Sequence, residues 1–258
     1  MIFTTRDREI KKPKKVRLWS VFFWLLVWEI AARWIGQDIL LVSPATVLLR
    51  LVNLSGTSDF WRSIGFSFLR IAGGFFIAVF TGTLFAALSA RFVRIKELFA
   101  PFIYTIKAIP VASFIILVLI WVSSRNLSLF ISFLMVFPIL YTGILEGVQS
   151  TDQKLLEMAA VFRIPLRRSV RYIYVSHVLP FFRSSCSVAL GFCWKSGIAA
   201  EVIGIPDGSI GEKLYKAKIY LNTPDLFSWT LVIVLLSLLF EKLFLFGTDR
   251  FVRHLERA

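Results

Sequence analysis

Six apolar stretches of about twenty residues each alternate with shorter polar segments along the chain. They run over about residues 18–36, 66–89, 98–121, 127–147, 178–203 and 226–247. An α-helix of about 20 residues crosses the ~30 Å hydrocarbon layer of a membrane. A helix also pairs its own backbone polar groups, for which lipid offers no partner. The pattern therefore predicts an all-α membrane protein with six transmembrane helices.

The polar segments divide the chain into three predicted regions. Residues 1–17 form a basic N-terminal segment, residues 18–247 a six-helix transmembrane domain, and residues 248–258 a tail. Between the fourth and fifth apolar stretches, the segment of about 151–176 predicts a short amphipathic helix, a turn and a second, basic helix. This polar hairpin is the main part of the chain expected to lie outside the membrane.

Two shorter helices are predicted in other connections. Ser43 followed by Pro44 and an apolar-periodic stretch is a helix start. The loop of about 203–225 contains glycine and proline turn residues, and a short helix over 212–221 follows them. Both helices are expected on the outer surface of the membrane.

The formal net charge is +14, and the basic residues are unevenly spread. They concentrate in the N-terminal segment, in alternate loops and in the tail, for example Arg6, Lys12, Arg91, Arg94, Lys96, Arg167, Arg168, Arg171, Arg250 and Arg253. Because basic loops stay in the cytoplasm, both termini are predicted to be cytoplasmic. The chain has 57% hydrophobic residues and a mean hydropathy of +0.74. In such a chain the excess positive charge sets the orientation of the protein in the membrane and attracts it to anionic lipids. Nucleic-acid binding is not expected.

The polar hairpin carries a recognisable residue order. Glu157, Met158 and Ala159 are followed by variable residues, and Leu179-Pro180 closes the segment. This order resembles the "EAA" loop of importer permeases of the ATP-binding-cassette (ABC) class. The family has a glycine where this chain has Arg163, because the chain there needs a left-handed turn. Either Arg163 adopts that conformation, at about 1 kcal/mol, or Pro165 redirects the turn.

In the family that the hairpin resembles, this loop is the cytoplasmic coupling element that docks onto an ATP-hydrolysing subunit. The resemblance implies coupling roles for Glu157, Ala159, Ala160, Phe162 and Arg163. Residue spacing also places Leu155, Ala159 and Phe162 on one stripe of the first short helix. An interfacial amphipathic hairpin without a partner is the alternative interpretation.

Further matching pieces follow one another over about residues 20–247. They are Trp28-Glu29, Ser43-Pro44, Ser67 to Arg70 with Gly73 and Gly74, Lys107 to Pro110, Gly191, Trp194-Lys195 and Glu201. Together they resemble the branch of the family that imports nitrate, sulfonates, taurine and related small anions. The resemblance implies a type I ABC importer permease fold in a bacterial inner membrane.

The same resemblance implies the partners. They are an ABC ATPase dimer, a second permease copy or similar subunit, an extracytoplasmic solute-binding protein, and membrane lipids. ATP and magnesium would bind to the ATPase, and this chain is expected to bind no cofactor or metal. The solute itself is not determined by the sequence.

Ionisable side chains inside apolar stretches are costly in a bilayer and are therefore candidates for function. Lys107 lies three residues before Pro110, which should kink the third span. Lys195 lies well inside the fifth span and is poorly placed to pair with Glu201 on the same helix. The candidate translocation residues are Lys107, Pro110, Ser113, Lys195, Ser196 and Glu201. Structural interhelical pairing is the alternative for the two lysines, and Glu29 and Arg70 are expected to form an ion pair or to reach the interface.

No enzyme constellation is present in the sequence. The chain has two histidines, and it lacks HExxH, CxxC and a glycine-rich phosphate-binding loop. The resemblance implies a transport subunit that moves a small, anionic solute by alternating access, with ATP hydrolysed in a partner subunit. The alternative is a secondary transporter driven by an ion gradient, which would need inverted halves with paired broken helices.

Overall fold

The computed structural model describes the backbone of residues 18–37 and 39–257, and their side chains except at 18, 166, 167 and 251–257. The predicted N-terminal segment 1–17 lies outside the described residues. All described elements are helices, and no strand occurs among them. They are α1 (Leu18–Ile35), α2 (Pro44–Ser55), α3 (Ser58–Arg91), α4 (Val93–Ala108), α5 (Val111–Val118), α6 (Ser124–Gln149), α7 (Gln153–Val161), α8 (Leu166–Ser169), a π-helix (Val170–Tyr174), α9 (Val175–Gly204), α10 (Ile210–Ile219) and α11 (Thr223–Arg257).

Four helical segments of the described chain are long and apolar enough to cross a membrane. They are Ser58–Arg91, Ser124–Gln149, Val170–Gly204 and Thr223–Arg250. The bent pair α4 and α5 gives a fifth span if it is counted as one. The all-helical membrane class is therefore confirmed, whereas the number six stays a prediction. The helix α11 continues through residues 248–257 of the predicted tail.

The core of the molecule is the contact between α3, α6 and α9. A Cβ added at Gly74 of α3 would lie 2.3 Å from the backbone oxygen of Leu129 in α6. A Cβ at Gly143 of α6 would lie 1.8 Å from Ser185 Oγ in α9. Small residues at these crossings allow the helix backbones to approach closely, as is common between membrane helices.

These close contacts also fix the relative directions of the helices. Gly74 of α3 lies near Leu129 of α6, and Gly82, further along α3, lies near Leu140, further along α6. The two helices therefore run parallel. Near the end of α6, Gly143 lies against Ser185 in the first half of α9, whereas Leu127 at the start of α6 lies against Gly204 at the end of α9. These two helices therefore run antiparallel. One end of the bundle therefore carries α7, and the other carries α2 and α10. We refer to them as the α7 end and the α10 end.

The third predicted span, 98–121, is not one kinked helix but two helices separated by a break. The axes of α4 and α5 differ by 108°. Ile109, at the end of α4, is extended with ψ 130°, and Pro110 precedes α5 with the same ψ. A proline disfavours the helical conformation of the residue before it and lacks the N–H that would continue the ladder. Because α3 and α6 run parallel, α4 and α5 together must carry the chain back from the α7 end to the α10 end.

The last helix, α11, packs against α3 through aromatic side chains. Phe240 and Phe244 lie edge-on to Phe75, with ring centroids 5.7 and 4.9 Å apart. At the α10 end, Arg50 of α2 forms an ion pair with Asp225 at the start of α11. The helix α2 starts at Ser43 and Pro44 as predicted, since the Ser43 hydroxyl accepts the Thr46 N–H at 3.2 Å.

The first helix, α1, is largely exposed in the single chain. Trp28 attaches it to the α10 end by donating from Nε1 to the Val42 carbonyl at 3.0 Å. Glu29 pairs with Arg33 on the same helix at 2.8 Å. The expected pair of Glu29 with Arg70 is therefore wrong. Arg70 instead donates to the carbonyl of Arg125 and stacks on the Phe66 ring at 3.7 Å.

Candidate functional site

The polar hairpin begins with a capped helix. Asp152 precedes α7 in an extended conformation, and its side chain accepts the Lys154 N–H at 2.9 Å. An aspartate at this position satisfies one of the free amides of the first turn. The predicted short helix of the hairpin is thus present as Gln153–Val161.

The turn after α7 has its left-handed residue at Arg163. The φ of Arg163 is 51°. Its N–H donates to the Ala160 carbonyl at 3.0 Å, and the next N–H, of Ile164, donates to the Ala159 carbonyl at 2.9 Å. These two bonds form a Schellman motif, which usually places glycine where Arg163 stands. Of the two predicted solutions, the structure adopts the one in which the arginine itself is left-handed.

Three exposed residues at the end of α7 are apolar. Met158, Val161 and Phe162 are exposed, with Val161 at 79% and Phe162 at 72% of their full accessibility. We call these three residues the α7 patch. Glu157, Ala160 and Arg163 are also exposed and border it. An exposed apolar surface at the end of a helical hairpin is typical of a protein contact.

The predicted stripe of Leu155, Ala159 and Phe162 is not a single surface. Ala159 is buried at 5% exposure, and Leu155 is partly buried, whereas Phe162 is the exposed residue that ends the helix. The spacing rule fails at Phe162 because the helix stops there. Ala159 therefore supports the turn from beneath, through its carbonyl and its packing.

Beyond the turn, the second predicted helix of the hairpin is continuous with the fifth span. The Pro165 carbonyl accepts the first helical hydrogen bonds of α8, which the N–H groups of Arg168 and Ser169 donate at 2.8 and 3.1 Å. The π-helix follows, in which the Val175 N–H reaches the Val170 carbonyl, and α9 continues from it. A groove of about 310 Å³ lies between the turn and this helix, and Phe162, Pro165, Arg168 and Tyr172 are among the residues that line it.

The predicted translocation residues lie at different depths. Lys107 and Ser113, on either side of the break at Pro110, are exposed, and Lys107 Nζ lies 3.4 Å from Thr142 Oγ1 of α6. Lys195 is exposed on α9, two residues from Cys193, whose carbonyl accepts from Ser132 of α6 at 3.3 Å. Ten residues separate Thr142 from Ser132, or about 15 Å along a helix. The two lysines therefore do not form one cluster.

Ser196 and Glu201, the other predicted translocation residues, are buried. The Ser196 hydroxyl donates to the Phe192 carbonyl of its own helix at 2.8 Å. Glu201 has 0% exposure, and its Oε2 accepts from Ser67 Oγ at 2.6 Å and from the Gly211 N–H at 3.2 Å. These contacts join α9 to α3 and α10. A direct role of either residue in a pathway stays a prediction.

Two interhelical polar contacts within the spans were not predicted. Ser187 of α9 donates to Glu241 of α11 at 2.8 Å, and Arg183 pairs with Asp249 at 2.9 Å. The sequence does mark Glu241 and Arg183 as candidates for polar contacts, because both are ionisable residues within apolar stretches. Their partners are far apart in the sequence and could not be assigned from it.

A bundle of long apolar helices with one polar helical hairpin at its end defines a multi-pass membrane protein. Residues 74–258 match the family described as "Binding-protein-dependent transport system inner membrane component". This match spans more than half of the chain, so the protein belongs to that family, as an inner-membrane permease of an ABC transporter. The predicted membership and membrane location are confirmed.

Relatives in several bacteria carry transport names. The chain is 24% identical to SsuC of Bacillus subtilis, named for aliphatic sulfonates transport, over 98% of this chain and 92% of that protein. It is 24% identical to the formylaminopyrimidine transport permease protein ThiX of Halalkalibacterium halodurans, over 85% of this chain and 88% of that protein. It is 23% identical to the taurine transport system permease protein TauC of Escherichia coli, over 83% and 80%.

Proposed function

We propose that this chain forms the translocation path of an ABC importer and couples it, through the α7 patch, to ATP hydrolysis in a partner subunit. The observation that carries this proposal is the exposed apolar surface of Met158, Val161 and Phe162 on a closed, hydrogen-bonded turn. Desolvating such a surface favours association with another protein. The hairpin continues into α9, so a push on α7 can displace a membrane span.

The proposed topology has six spans: α1, α3, the pair α4 and α5, α6, α9 and α11. The α7 end is cytoplasmic, because Arg91, Arg94, Arg163, Arg168 and Arg171 lie at this end or in its loops. Both chain termini then face the cytoplasm. The exposed faces of α1 and of the α4–α5 break are available to lipid and to a second permease copy. Two copies would enclose the path between them.

The proposed substrate is a small anion, delivered from outside by a solute-binding protein. Lys107 and Lys195 are exposed cationic side chains on helices of the bundle, and neither forms an ion pair within the described part of the chain. Such groups attract an anion more strongly in a poorly hydrated passage than in water. The names of the sulfonate and taurine relatives support the same class.

Val161→Asp in the α7 patch tests the coupling proposal. The complex is purified with its ATPase subunits and solute-binding protein and placed in nanodiscs or proteoliposomes. We expect Val161→Asp to lower ATPase co-purification and ATP-dependent uptake severalfold, because a carboxylate cannot be desolvated cheaply at an apolar contact. Val93→Asp is the matched control: Val93 starts α4 at the same end and is 68% exposed.

Two results would contradict the proposal. If Val161→Asp and Val93→Asp transport equally well, α7 is not the docking surface. If wild-type proteoliposomes accumulate solute without nucleotide and in response to an imposed ion gradient, the protein is a secondary transporter.

A further inference from the structure

Two arginines meet where α3 passes the first turn of α6. The Nε of Arg70, on α3, donates to the backbone carbonyl of Arg125 in α6. The guanidinium of Arg70 also stacks on the Phe66 ring, 3.7 Å from the ring centroid, and its Nη1 lies 3.5 Å from the Phe66 carbonyl oxygen. These contacts hold the planar guanidinium in one orientation, which lowers the entropy lost when it binds a further group.

Neither arginine has a direct counter-ion. Within the described part of the chain, no acidic side chain forms an ion pair with Arg70 or Arg125. The charge of Arg125 repels that of Arg70. Glu201 attracts Arg70, but its carboxylate is fully buried and accepts its hydrogen bonds from α3 and α10. Two neighbouring positive charges in this state favour the binding of an anion.

The Arg70 side chain has hydrogen-bond donors left for such an anion. A guanidinium carries five N–H donors in a flat fork. Two donors of Arg70 are directed at backbone carbonyls, and the other three have no partner among the residues that the structure describes. Arg70 is partly exposed and Arg125 is exposed. A guanidinium fork binds a phosphate group through two parallel N–H···O bonds, so phosphate is a ligand of matching shape and charge.

The two arginines lie at the depth of lipid headgroups. The helix α6 has 26 residues, and at 1.5 Å per residue it is about 39 Å long. The hydrocarbon layer of a membrane is ~30 Å thick, and the headgroup layers bring the total to ~40–45 Å. The first turn of α6, with Arg125, therefore lies among headgroups. Trp121, just before α6, is 73% exposed, as is common for tryptophan at this depth.

An exposed apolar strip of α3 leads from Arg70 towards the middle of the membrane. Gly73 and Ile77 follow Arg70 at three and seven residues and lie on the same side of the helix. Ile77 is 44% exposed, and Leu69, beside Arg70, is 70% exposed. Gly73 is partly exposed, so this side of α3 is shallow where it passes α6. We call Leu69, Gly73 and Ile77 the α3 strip.

The break between α4 and α5 leaves the α3 strip uncovered. Near the α7 end, α4 packs on both neighbours, with the Phe99 ring 4.8 Å from Phe85 of α3 and 6.1 Å from Phe137 of α6. Beyond the break, α5 turns to α6 and α9, where Ile115 shares an apolar cluster with Ala200. The cover that α4 gives to α3 is therefore not continued by α5, and lipid has access to the strip.

We infer that Arg70 and Arg125 bind the phosphate group of an anionic phospholipid, one of whose acyl chains lies along the α3 strip. Arg70 holds the phosphate with its fork, and Arg125 adds electrostatic attraction. A headgroup such as phosphatidylglycerol fits two arginines better than phosphatidylcholine, whose ammonium group would meet their positive charge. The site goes beyond the proposed function, because it does not depend on the ATPase or on the solute.

The test measures lipid binding to the purified protein. Radiolabelled phosphatidylglycerol is titrated onto the immobilised protein in detergent micelles, and phosphatidylcholine of the same chain length is the comparison. Arg70→Gln removes the fork, and Arg70→Lys keeps the charge without it. Arg125→Gln removes a side chain without a hydrogen bond or ion pair in the described part of the chain, so the bond from Arg70 to the backbone is kept. Lys218→Gln is the control, since Lys218 is an exposed cation on α10 at the same end.

We expect the wild type to bind phosphatidylglycerol about tenfold more tightly than phosphatidylcholine. Arg70→Gln should lower the affinity for phosphatidylglycerol about tenfold, because a charge-assisted hydrogen-bonded pair is lost. Arg125→Gln should lower it severalfold, and Arg70→Lys should fall between Arg70→Gln and the wild type. Lys218→Gln should bind as the wild type does. If the Arg70 variants do not fold, Arg125→Gln alone decides the matter.

Three results would overturn the inference. The first is equal affinity of the wild type for the two lipids. The second is wild-type affinity for phosphatidylglycerol in Arg125→Gln and in any Arg70→Gln protein that folds. The third concerns a free anion as the source of the phosphate-like group: if an excess of inorganic phosphate displaces phosphatidylglycerol, and chloride at the same ionic strength does not, the arginines recognise a soluble anion and not a lipid.

Discussion

The N–H of Ile164 donates to the carbonyl of Ala159 across 2.9 Å, over a turn whose left-handed residue is Arg163. The bond closes α7 and fixes the angle at which the hairpin leaves the bundle. A bulky residue in a conformation that favours glycine is strained by about 1 kcal/mol. The strain is tolerated because two backbone hydrogen bonds depend on it.

Replacements of Arg163 should separate backbone conformation from charge. Asparagine tolerates the left-handed region and valine does not, while both remove the positive charge. We expect Arg163→Asn to keep uptake near the wild-type level and Arg163→Val to lower it, with faster protease cleavage within residues 159–168. ATP-dependent uptake and limited proteolysis measure the two effects. An equal loss of uptake in both variants would mean that the charge, and not the turn, matters, and wild-type uptake in both would mean that neither does.

The close crossing of α3 and α6 should be sensitive to a single methyl group at Gly74. A Cβ there would meet the Leu129 carbonyl at 2.3 Å, whereas a Cβ at Gly65, on the same helix, would meet nothing within 4 Å. We expect Gly74→Ala to destabilise the protein by about 1–3 kcal/mol, as overpacking does. Gly65→Ala should be neutral or slightly stabilising, because alanine favours the helix. Thermal unfolding in detergent compares them, and equal melting temperatures would contradict the packing described.

The α10 end should respond to acid through Glu212. Partial burial opposes its ionisation, but bonds from Lys216 and from the Gly208 N–H at 2.6 Å outweigh this and lower the pKa of the Glu212 carboxyl. A lowered folded-state pKa means that the stabilisation is present above the unfolded pKa and is lost as the pH falls through the folded value. We expect the Gly208 amide shift, followed by NMR on acidification, to titrate below the ordinary glutamate range. Glu212→Gln should abolish this titration, and a midpoint above that range would contradict the assignment.

Neutralising Lys195 should impair transport of anions selectively. We expect Lys195→Gln to reduce uptake of an aliphatic sulfonate severalfold while leaving ATPase co-purification unchanged, because the side chain is exposed and supports no ion pair among the described residues. Lys242→Gln is the control, since Lys242 is an exposed lysine on the apolar helix α11. Radiolabelled uptake is the measurement. Equal uptake in both variants would show that Lys195 does not line the path.

Much of the fold follows from local patterns. The apolar stretches predict the long helices, Ser43-Pro44 predicts the start of α2, and the amphipathic spacing predicts α7, because each depends on neighbours a few residues away. The break at Pro110 was predicted only as a kink. Its 108° angle depends on how α5 packs against α6 and α9, which no local pattern contains.

The sequence by itself determined that this is a helical membrane protein with a polar hairpin, since hydropathy and charge act locally along the chain. Only the tertiary structure decided that Arg163 is left-handed, that Ala159 is buried beneath an exposed Phe162, and that Glu201 bonds Ser67 and Gly211. The physical reason is that these contacts do not depend on distance along the chain: Ser67 and Glu201, which are 134 positions apart, form a hydrogen bond as readily as residues four positions apart in one helix. Such partners are chosen by the packing of helices, which the order of residues does not display.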